Sequence, residues 1–180
     1  MFTDHFKMST QPFQERSPVE AMLKDERITQ GLARLEYLAE QGTIALVTGQ
    51  SGIGKSALIK LFVHSLPQNR YWPVYIHLTR MKAASLLRLI VEKLGETPRR
   101  GKERLFSQIL DKTAGAERTA ILLVDEAHLV DPEALTDLRL LVSSALDNSP
   151  PLKILLAGQQ PLRDQLRRAI VRRDDDEPRL

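Results

Sequence analysis

The sequence predicts an α/β domain in which helices cover both faces of a mainly parallel, four-stranded sheet. Segments of strand character alternate with amphipathic helical segments along the chain, which is the order typical of parallel sheets. Residues 119–124 form a continuous apolar run, as expected of a central strand that is covered on both sides. Residues 49–56 form a glycine-rich turn between a short strand and a helix. Together these observations predict a three-layer core.

The N-terminal residues predict a helical segment that packs on this core. Residues 17–20 form a capping box with proline at the first helical position, which predicts the start of a helix. Gly42 ends this helix, whose apolar face consists of Ile28, Leu32, Leu35 and Ala39. Strands are expected over 43–48 and 73–78, with a helix from Lys55 to about Leu66 between them.

The second half of the chain continues the alternation. Two amphipathic helices have apolar faces formed by Leu86, Leu87, Ile90, Val91 and Leu94 and by Leu105, Phe106, Ile109 and Leu110. Asp131 and Pro132 predict the start of another helix, which the prolines at 150 and 151 end before a fourth strand over 152–157. A last helix begins near Pro161, with Leu162, Leu166 and Ile170 on its apolar face. We therefore divide the chain into a helical N-terminal segment (1–42), a core (43–171) and a charged tail (172–180) that we expect to be disordered.

The composition is that of one globular domain. The chain has 180 residues, of which 42% are hydrophobic and 27% charged, which excludes a mostly disordered protein. The absence of cysteine excludes a disulfide framework, a thiolate zinc site and a cysteine nucleophile. No apolar run approaches the ~20 residues that cross a bilayer, and residues 1–8 are too polar for a signal peptide. We expect a cytoplasmic protein without a membrane partner.

The net charge of +3 is distributed unevenly along the chain. Basic residues form two clusters, one of Arg99, Arg100, Lys102 and Arg104 and the other of Arg163, Arg167, Arg168, Arg172 and Arg173. Either cluster could bind a nucleic-acid backbone. Short basic runs are also common on the solvated ends of helices, so both interpretations stay open.

Residues 49–56 match the pattern G-x-x-x-x-G-K-S, in which a glycine-rich loop binds nucleotide phosphates. The glycines let backbone N–H groups turn toward the β-phosphate, at the positive end of the following helix. Lys55 would reach the β- and γ-phosphate oxygens, and the Ser56 hydroxyl would ligate Mg²⁺. We predict ATP contacts from Gly49, Gln50, Ser51, Gly52, Ile53, Gly54, Lys55, Ser56 and Ala57. A coincidental glycine turn is the alternative, and the flanking strand and helix argue against it.

Two carboxylates, Asp125 and Glu126, follow the central apolar strand. In ATPases with such an acid pair the first carboxylate holds Mg²⁺, usually through water, and the second polarises the attacking water. We predict Asp125 at the metal, Glu126 as the general base and Lys55 as a second catalytic residue. The pair favours hydrolysis over kinase chemistry, because kinases with this loop generally lack a carboxylate that activates water. A solvated Asp-Glu turn is the alternative, and the glycine loop makes it the weaker one.

His128 completes an Asp-Glu-Ala-His string that also occurs in a helicase superfamily. Such helicases need two motor domains, and this chain is long enough for one. We therefore interpret His128 as a structural residue near the γ-phosphate side of the site.

With these motifs the chain resembles AAA+-type ATPases of the ExeA/GspA-like group, which includes general-secretion ATPases and ATP-binding helper proteins encoded beside transposases. The likeness extends over about residues 5 to 170. It includes the stretches 5–6, 12–13, 31–35, 49–56, 125–128, 132–135 and 156–163. The Leu-Ala-Gly-Gln sequence at 156–159 is more particular to this group than the two phosphate motifs are.

The resemblance implies further site residues. Gln159 takes the sensor position, where a polar side chain contacts the attacking water or the γ-phosphate; a helix-capping role is the alternative. Adenine contacts would come partly from the segment before the first strand, where Pro12, Phe13 and Met22 are candidates for either adenine contact or an apolar anchor. Self-association on ATP binding is also implied.

The sequence departs from the group at its C-terminal end. Members continue into a fifth strand, an arginine that completes a neighbour's active site, and a helical lid, whereas this sequence turns to acidic residues at 174–177. We therefore expect the lid to be absent and hydrolysis to be slow, and no arginine finger is assigned.

Three functions fit these motifs and this composition. The first is an ATPase that binds Mg²⁺-ATP and acts as a DNA-associated helper of a transposase or other mobile element. The second is an assembly ATPase of a secretion system. The third is a nucleotide-binding module that does not hydrolyse. The basic clusters favour the first.

Overall fold

The computed structural model describes residues 5–7, 19, 22, 25–77, 80–143 and 152–166. The order of elements within these residues is α1 (Glu26–Glu40), β1 (Ile44–Thr48), α2 (Lys55–Ser65), β2 (Tyr71–His77), α3 (Ala83–Lys93), α4 (Lys102–Ala114), β3 (Thr119–Asp125), α5 (Pro132–Ser143) and β4 (Leu152–Gly158). A further helical run begins at Pro161 and is described through residue 166. Strands and helices alternate as the sequence predicts.

The strands form one parallel sheet in the order β1-β4-β3-β2. Because all the described strands are parallel, their carboxyl ends lie at the same edge of the sheet, where such folds bind ligands. Strand β4, the last in sequence, lies between β1 and β3. The turn after β1 therefore lies on one side of the carboxyl end of β4, and the turn after β3 lies on the other side.

Both faces of the sheet are covered, which confirms the predicted three-layer α/β class. On β3, Ala120, Leu122 and Val124 face a core built with α3, α4 and α5. Ile121 and Leu123 face the second core, which is built with α1 and α2. Alternate residues of one apolar strand thus enter different cores, since side chains on a strand point to opposite faces in turn.

The predicted start of the first helix is wrong. Helix α1 begins at Glu26, where Asp25 is the N-cap and its Oδ1 accepts a hydrogen bond from the Ile28 N–H at 2.8 Å. Ser17, Pro18 and Glu20, which suggested an earlier start, lie outside the described residues. A local aspartate cap at the start of the periodic apolar face marks the helix better than the distant capping box does.

Strand β2 begins at Tyr71, two residues before the predicted start at Pro73. Proline is compatible with this strand because β2 is at the edge of the sheet. Pro150, Ile170 and the predicted charged tail lie outside the described residues.

Lys153 on β4 is buried, and it ties the sheet to helix α1. Its Nζ donates to the carbonyl oxygens of Leu38 at 3.1 Å and Gly42 at 2.8 Å. Burial lowers the pKa of this amine below its ordinary value. The lysine thus satisfies carbonyl groups at the carboxyl end of α1, where helices lack internal donors.

Candidate functional site

The predicted site residues lie at the carboxyl edge of the sheet, in turns that follow three neighbouring strands. The glycine loop follows β1, the acid pair ends β3 and begins the next turn, and Gln159 follows β4. The Gly49 N–H donates to the Gly158 carbonyl at 3.2 Å, which ties the start of the loop to the end of β4. The sheet order therefore brings together segments that are far apart in sequence.

Glycine suits two positions of the loop for different reasons, one the backbone conformation and the other the space beside the Cα. Gly54, the N-cap of α2, has φ 100°, a left-handed conformation that other residues rarely adopt. At Gly49 a Cβ would lie only 2.8 Å from the Ile53 Cγ2, so a side chain here would force the Ile53 side chain to shift. The loop thus brings its backbone to the amino end of α2, where unpaired N–H groups and the helix dipole favour an anion.

Lys55 is buried and its ammonium group lies against the loop. Its Nζ donates to the carbonyl oxygens of Gly49 at 3.0 Å and Gln50 at 2.9 Å. A positive charge is therefore held at the loop by main-chain bonds. A phosphate oxygen could replace these carbonyl acceptors without moving the helix on which Lys55 lies.

Asp125 is only 2% exposed, and its carboxylate accepts three hydrogen bonds. Its Oδ2 accepts from the Ser56 hydroxyl at 3.2 Å and from the Tyr75 hydroxyl at 2.9 Å. Its Oδ1 accepts from the Glu126 N–H at 2.9 Å. Burial, and next the hydrogen bond and charge of Asp125, raise the pKa of Tyr75 to about 12. The phenol is therefore a hydrogen-bond donor at neutral pH.

Glu126 begins a short turn toward β4. Its φ of 56° is left-handed, and its Oε2 lies 3.3 Å from the His128 Nδ1. The same Nδ1 lies 3.4 Å from the backbone nitrogen of Gln159, whose carbonyl accepts from the Leu162 N–H at 3.0 Å. His128 thus lies between the second carboxylate and the end of β4, and the Gln159 backbone caps the next helical run.

The residues at this edge fit a nucleotide triphosphate with Mg²⁺. A Cβ at Gly52 or Gly54 would meet nothing within 4 Å, so the space beside the loop at these residues is open. The Ser56 hydroxyl and the Asp125 carboxylate present neighbouring oxygen atoms, the ligand type that Mg²⁺ prefers. Lys55 adds a cation beside them.

A cavity of about 360 Å³ adjoins the loop, and the sequence patterns did not predict it. It is lined on one side by Asp25, Arg27 and Ile28 at the start of α1 and on the other by Val47 and Ile53. Of the residues considered for adenine contact, Met22 is described and Pro12 and Phe13 are not. Asp25 was the available sequence signal for the start of α1, but the position of that start beside the loop has no local signal.

The first basic cluster is only partly available to a ligand. Lys102 forms ion pairs with Glu133 at 2.6 Å and Asp137 at 2.9 Å, both on α5. Arg99, Arg100 and Arg104 are exposed. In the second cluster only Arg163 lies within the described residues.

None of the helices in the described parts of the chain combines the length and the apolar character needed to span a bilayer.

Comparison with known proteins agrees with this fold and these motifs. Residues 38–166 match the family model of the AAA domain. The chain is 30% identical over 178 residues to general secretion pathway protein A of Aeromonas hydrophila, covering 96% of this chain and 32% of that protein. The chain thus spans about a third of the length of this relative.

Solved structures show the same fold at low sequence identity. The Cdc6p of Pyrobaculum aerophilum has a TM-score of 0.59 at 19% identity, over 83% of this chain and 42% of that one. The Orc1 protein of Aeropyrum pernix, solved in complex with DNA, has a TM-score of 0.59 at 17% identity, over 82% of this chain and 44% of that one. Because the AAA model matches most of the chain, and the parallel sheet has the fold of these proteins, the chain belongs to the AAA domain family of AAA+ P-loop ATPases.

Proposed function

We propose that this chain binds Mg²⁺-ATP at the carboxyl edge of its sheet and hydrolyses it to ADP and phosphate. One observation supports this above the others: Ser56, the last residue of the glycine loop, is hydrogen-bonded to Asp125, the first residue of the acid pair. The two motifs that the sequence predicted separately therefore share one site.

The glycine loop binds the phosphates in this proposal. Backbone N–H groups of the loop after Gly49 bind the phosphate oxygens at the amino end of α2. Lys55 exchanges its bonds to the Gly49 and Gln50 carbonyls for the β- and γ-phosphate oxygens. The Ser56 hydroxyl and the Asp125 carboxylate hold Mg²⁺, which neutralises charge on the phosphate oxygens when bound. The cavity of about 360 Å³ beside the loop takes the sugar and base.

Glu126 is the general base in this proposal. Its carboxylate accepts the proton of the water that attacks the γ-phosphate, and the Gln159 side chain orients that water. Glu126 Oε2 is directed to His128 at 3.3 Å, so it has to turn from His128 to reach the water. A small side-chain rotation of this kind is common on nucleotide binding.

We further propose that ATP binding serves a DNA-associated helper of a transposase or other mobile element. The exposed Arg99, Arg100 and Arg104 are suited to a phosphate backbone, and the similar Orc1 protein is solved in complex with DNA. A role in the assembly of a secretion system is the second candidate. It is favoured by the 30% identity to general secretion pathway protein A.

Steady-state ATP hydrolysis with and without duplex DNA separates these roles. We expect turnover that requires Mg²⁺ and rises with DNA, and a double variant Arg99→Ala/Arg100→Ala that keeps basal turnover but loses the rise. Arg34→Ala, at an exposed arginine on α1, is the matched control and keeps the rise. Turnover unaffected by DNA of any length contradicts the DNA-associated role and favours the secretion role. Nucleotide binding without turnover in every sample contradicts hydrolysis.

A further inference from the structure

Tyr75 contacts the acid pair from the neighbouring strand. It lies on β2 opposite Leu123 of β3, two residues before the position paired with Asp125. Its hydroxyl nevertheless reaches the Asp125 Oδ2, to which it donates at 2.9 Å. This oxygen also accepts from the Ser56 hydroxyl at 3.2 Å. A phenol and the loop serine therefore share one carboxylate oxygen.

Packing does not account for the position of this tyrosine. Tyr75 is 46% exposed on an edge strand, whereas Tyr71 on the same strand is buried in the α1–α2 core. The Tyr75 ring lines a groove of about 520 Å³ beside α2, with Ser56 at the same groove. Its hydroxyl donates a partly buried hydrogen bond to Asp125. The Tyr75 side chain thus forms a hydrogen bond with Asp125 although its ring stays partly exposed to solvent.

The three hydrogen bonds on Asp125 have different roles. The bond from the Glu126 N–H fixes Oδ1 to the chain next to it. The bond from Ser56 comes from a group that also ligates Mg²⁺ in the proposed site, so its geometry changes when the metal binds. The bond from Tyr75 comes from a side chain outside the phosphate loop. Tyr75 is therefore the partner of Oδ2 that binds neither phosphate nor metal in the proposed site.

We propose that Tyr75 is a positioning residue for divalent-metal binding, which orients the Asp125 carboxylate through its hydroxyl. The inference rests on the proposed function, because it takes Asp125 as the metal carboxylate. Groups that hydrogen-bond metal ligands fix the ligand's orientation, and their loss typically weakens metal binding by about 10- to 100-fold. The effect of Tyr75 is confined to the metal, since its hydroxyl donates to the Asp125 carboxylate and not to the backbone of the loop.

The test is Tyr75→Phe, which keeps the ring and removes the hydroxyl. Binding of a fluorescent ATP analogue is measured while Mg²⁺ is titrated, and again in EDTA. We expect the Mg²⁺ concentration at half-saturation to rise about tenfold, with the affinity in EDTA unchanged. Tyr37→Phe, at a phenol that is 66% exposed on α1, is the matched control and leaves both values unchanged.

Each other outcome overturns the inference. An unchanged Mg²⁺ half-saturation in Tyr75→Phe, with a normal wild-type response, overturns it while the proposed function stands. An equal loss of affinity in Mg²⁺ and in EDTA means that the hydroxyl supports the phosphate loop or the fold. Absence of nucleotide binding by the wild-type protein overturns the proposed function, and this inference with it.

Discussion

Glu126 combines an uncommon backbone conformation with a proposed catalytic side chain. Left-handed backbone conformation costs a residue with a Cβ roughly 1–2 kcal/mol, and Glu126 adopts it at φ 56°. The Asp125 side chain accepts from the Glu126 N–H, and His128 lies beside its carboxylate. These contacts hold the residue in place. In the proposed site this strain is the stability that is given up to place the Glu126 carboxylate.

Two substitutions at this residue separate stability from chemistry. Asparagine adopts the left-handed region more readily than glutamine does, and neither side chain is a carboxylate base. We expect Glu126→Asn to be more stable than Glu126→Gln by about 1 kcal/mol, and both to lose hydrolysis. Urea unfolding without nucleotide measures the difference. Equal stability of the two variants, or a less stable asparagine variant, contradicts the strain argument.

At the scale of elements, Lys102 links the start of α4 to α5. A cation in the first helical turn is opposed by the helix dipole, so an external partner has to compensate it. Glu133 and Asp137 supply two carboxylates at 2.6 and 2.9 Å, and the Asp137 side chain is only 8% exposed. These ion pairs raise the pKa of Lys102, mainly through Glu133 and then Asp137. Lys102 therefore has a structural role in the basic cluster that does not require DNA.

We expect Lys102→Met to lower the free energy of unfolding by about 2 kcal/mol, between the values typical of exposed and buried pairs. Its loss leaves Asp137 buried without this partner. Glu133→Gln, at a carboxylate side chain that is 70% exposed, is the control and changes stability by less than about 0.5 kcal/mol. Because the folded pKa of Lys102 is raised, the difference persists at pH 9 and is lost only as the pH rises through that folded pKa. A Lys102→Met protein as stable as wild type at pH 7 contradicts the link.

For Lys153 we expect the contribution to stability to depend on pH in the opposite direction. Its folded pKa is lowered by burial, so between that value and the ordinary 10.5 the unfolded chain binds more protons than the folded one. Stability from this group is therefore complete above the unfolded pKa and is lost as the pH falls through the folded pKa. We expect wild type to gain stability relative to Lys153→Met between pH 8 and pH 10.5, in urea unfolding at each pH. A constant difference across this range contradicts a lowered pKa.

The sequence predicts elements better than it predicts contacts between them. The apolar run of β3 and the turn of residues 49–56 are local signals, and both were predicted in place. Tyr75 was missed, because its partner is fifty residues away and the register of β2 against β3 has no local signal. Lys153 was missed for a related reason. A charged residue in a central strand contradicts the apolar pattern, and only the carbonyl groups at the end of α1 explain it.

At the scale of the whole molecule, sheet order determines what the site contains. With β4 between β1 and β3, the glycine loop, the acid pair and Gln159 follow neighbouring strands. Motif spacing along the chain predicted the two phosphate motifs, and resemblance supplied the position of Gln159. The biological role is less accessible, since this chain spans 32% of the secretion protein it resembles and the similar DNA-bound structure shares only 17% identity.

The most direct test of the proposed site is a single-turnover measurement on ATP pre-bound to the protein, started by adding Mg²⁺. We predict that wild type releases phosphate, that Glu126→Gln retains ATP without releasing phosphate, and that Lys55→Ala does not retain ATP. These results follow from separate roles for the base and the phosphate-binding lysine at one site. Phosphate release by Glu126→Gln at the wild-type rate, or ATP retention by Lys55→Ala equal to wild type, would contradict the assignment of this site.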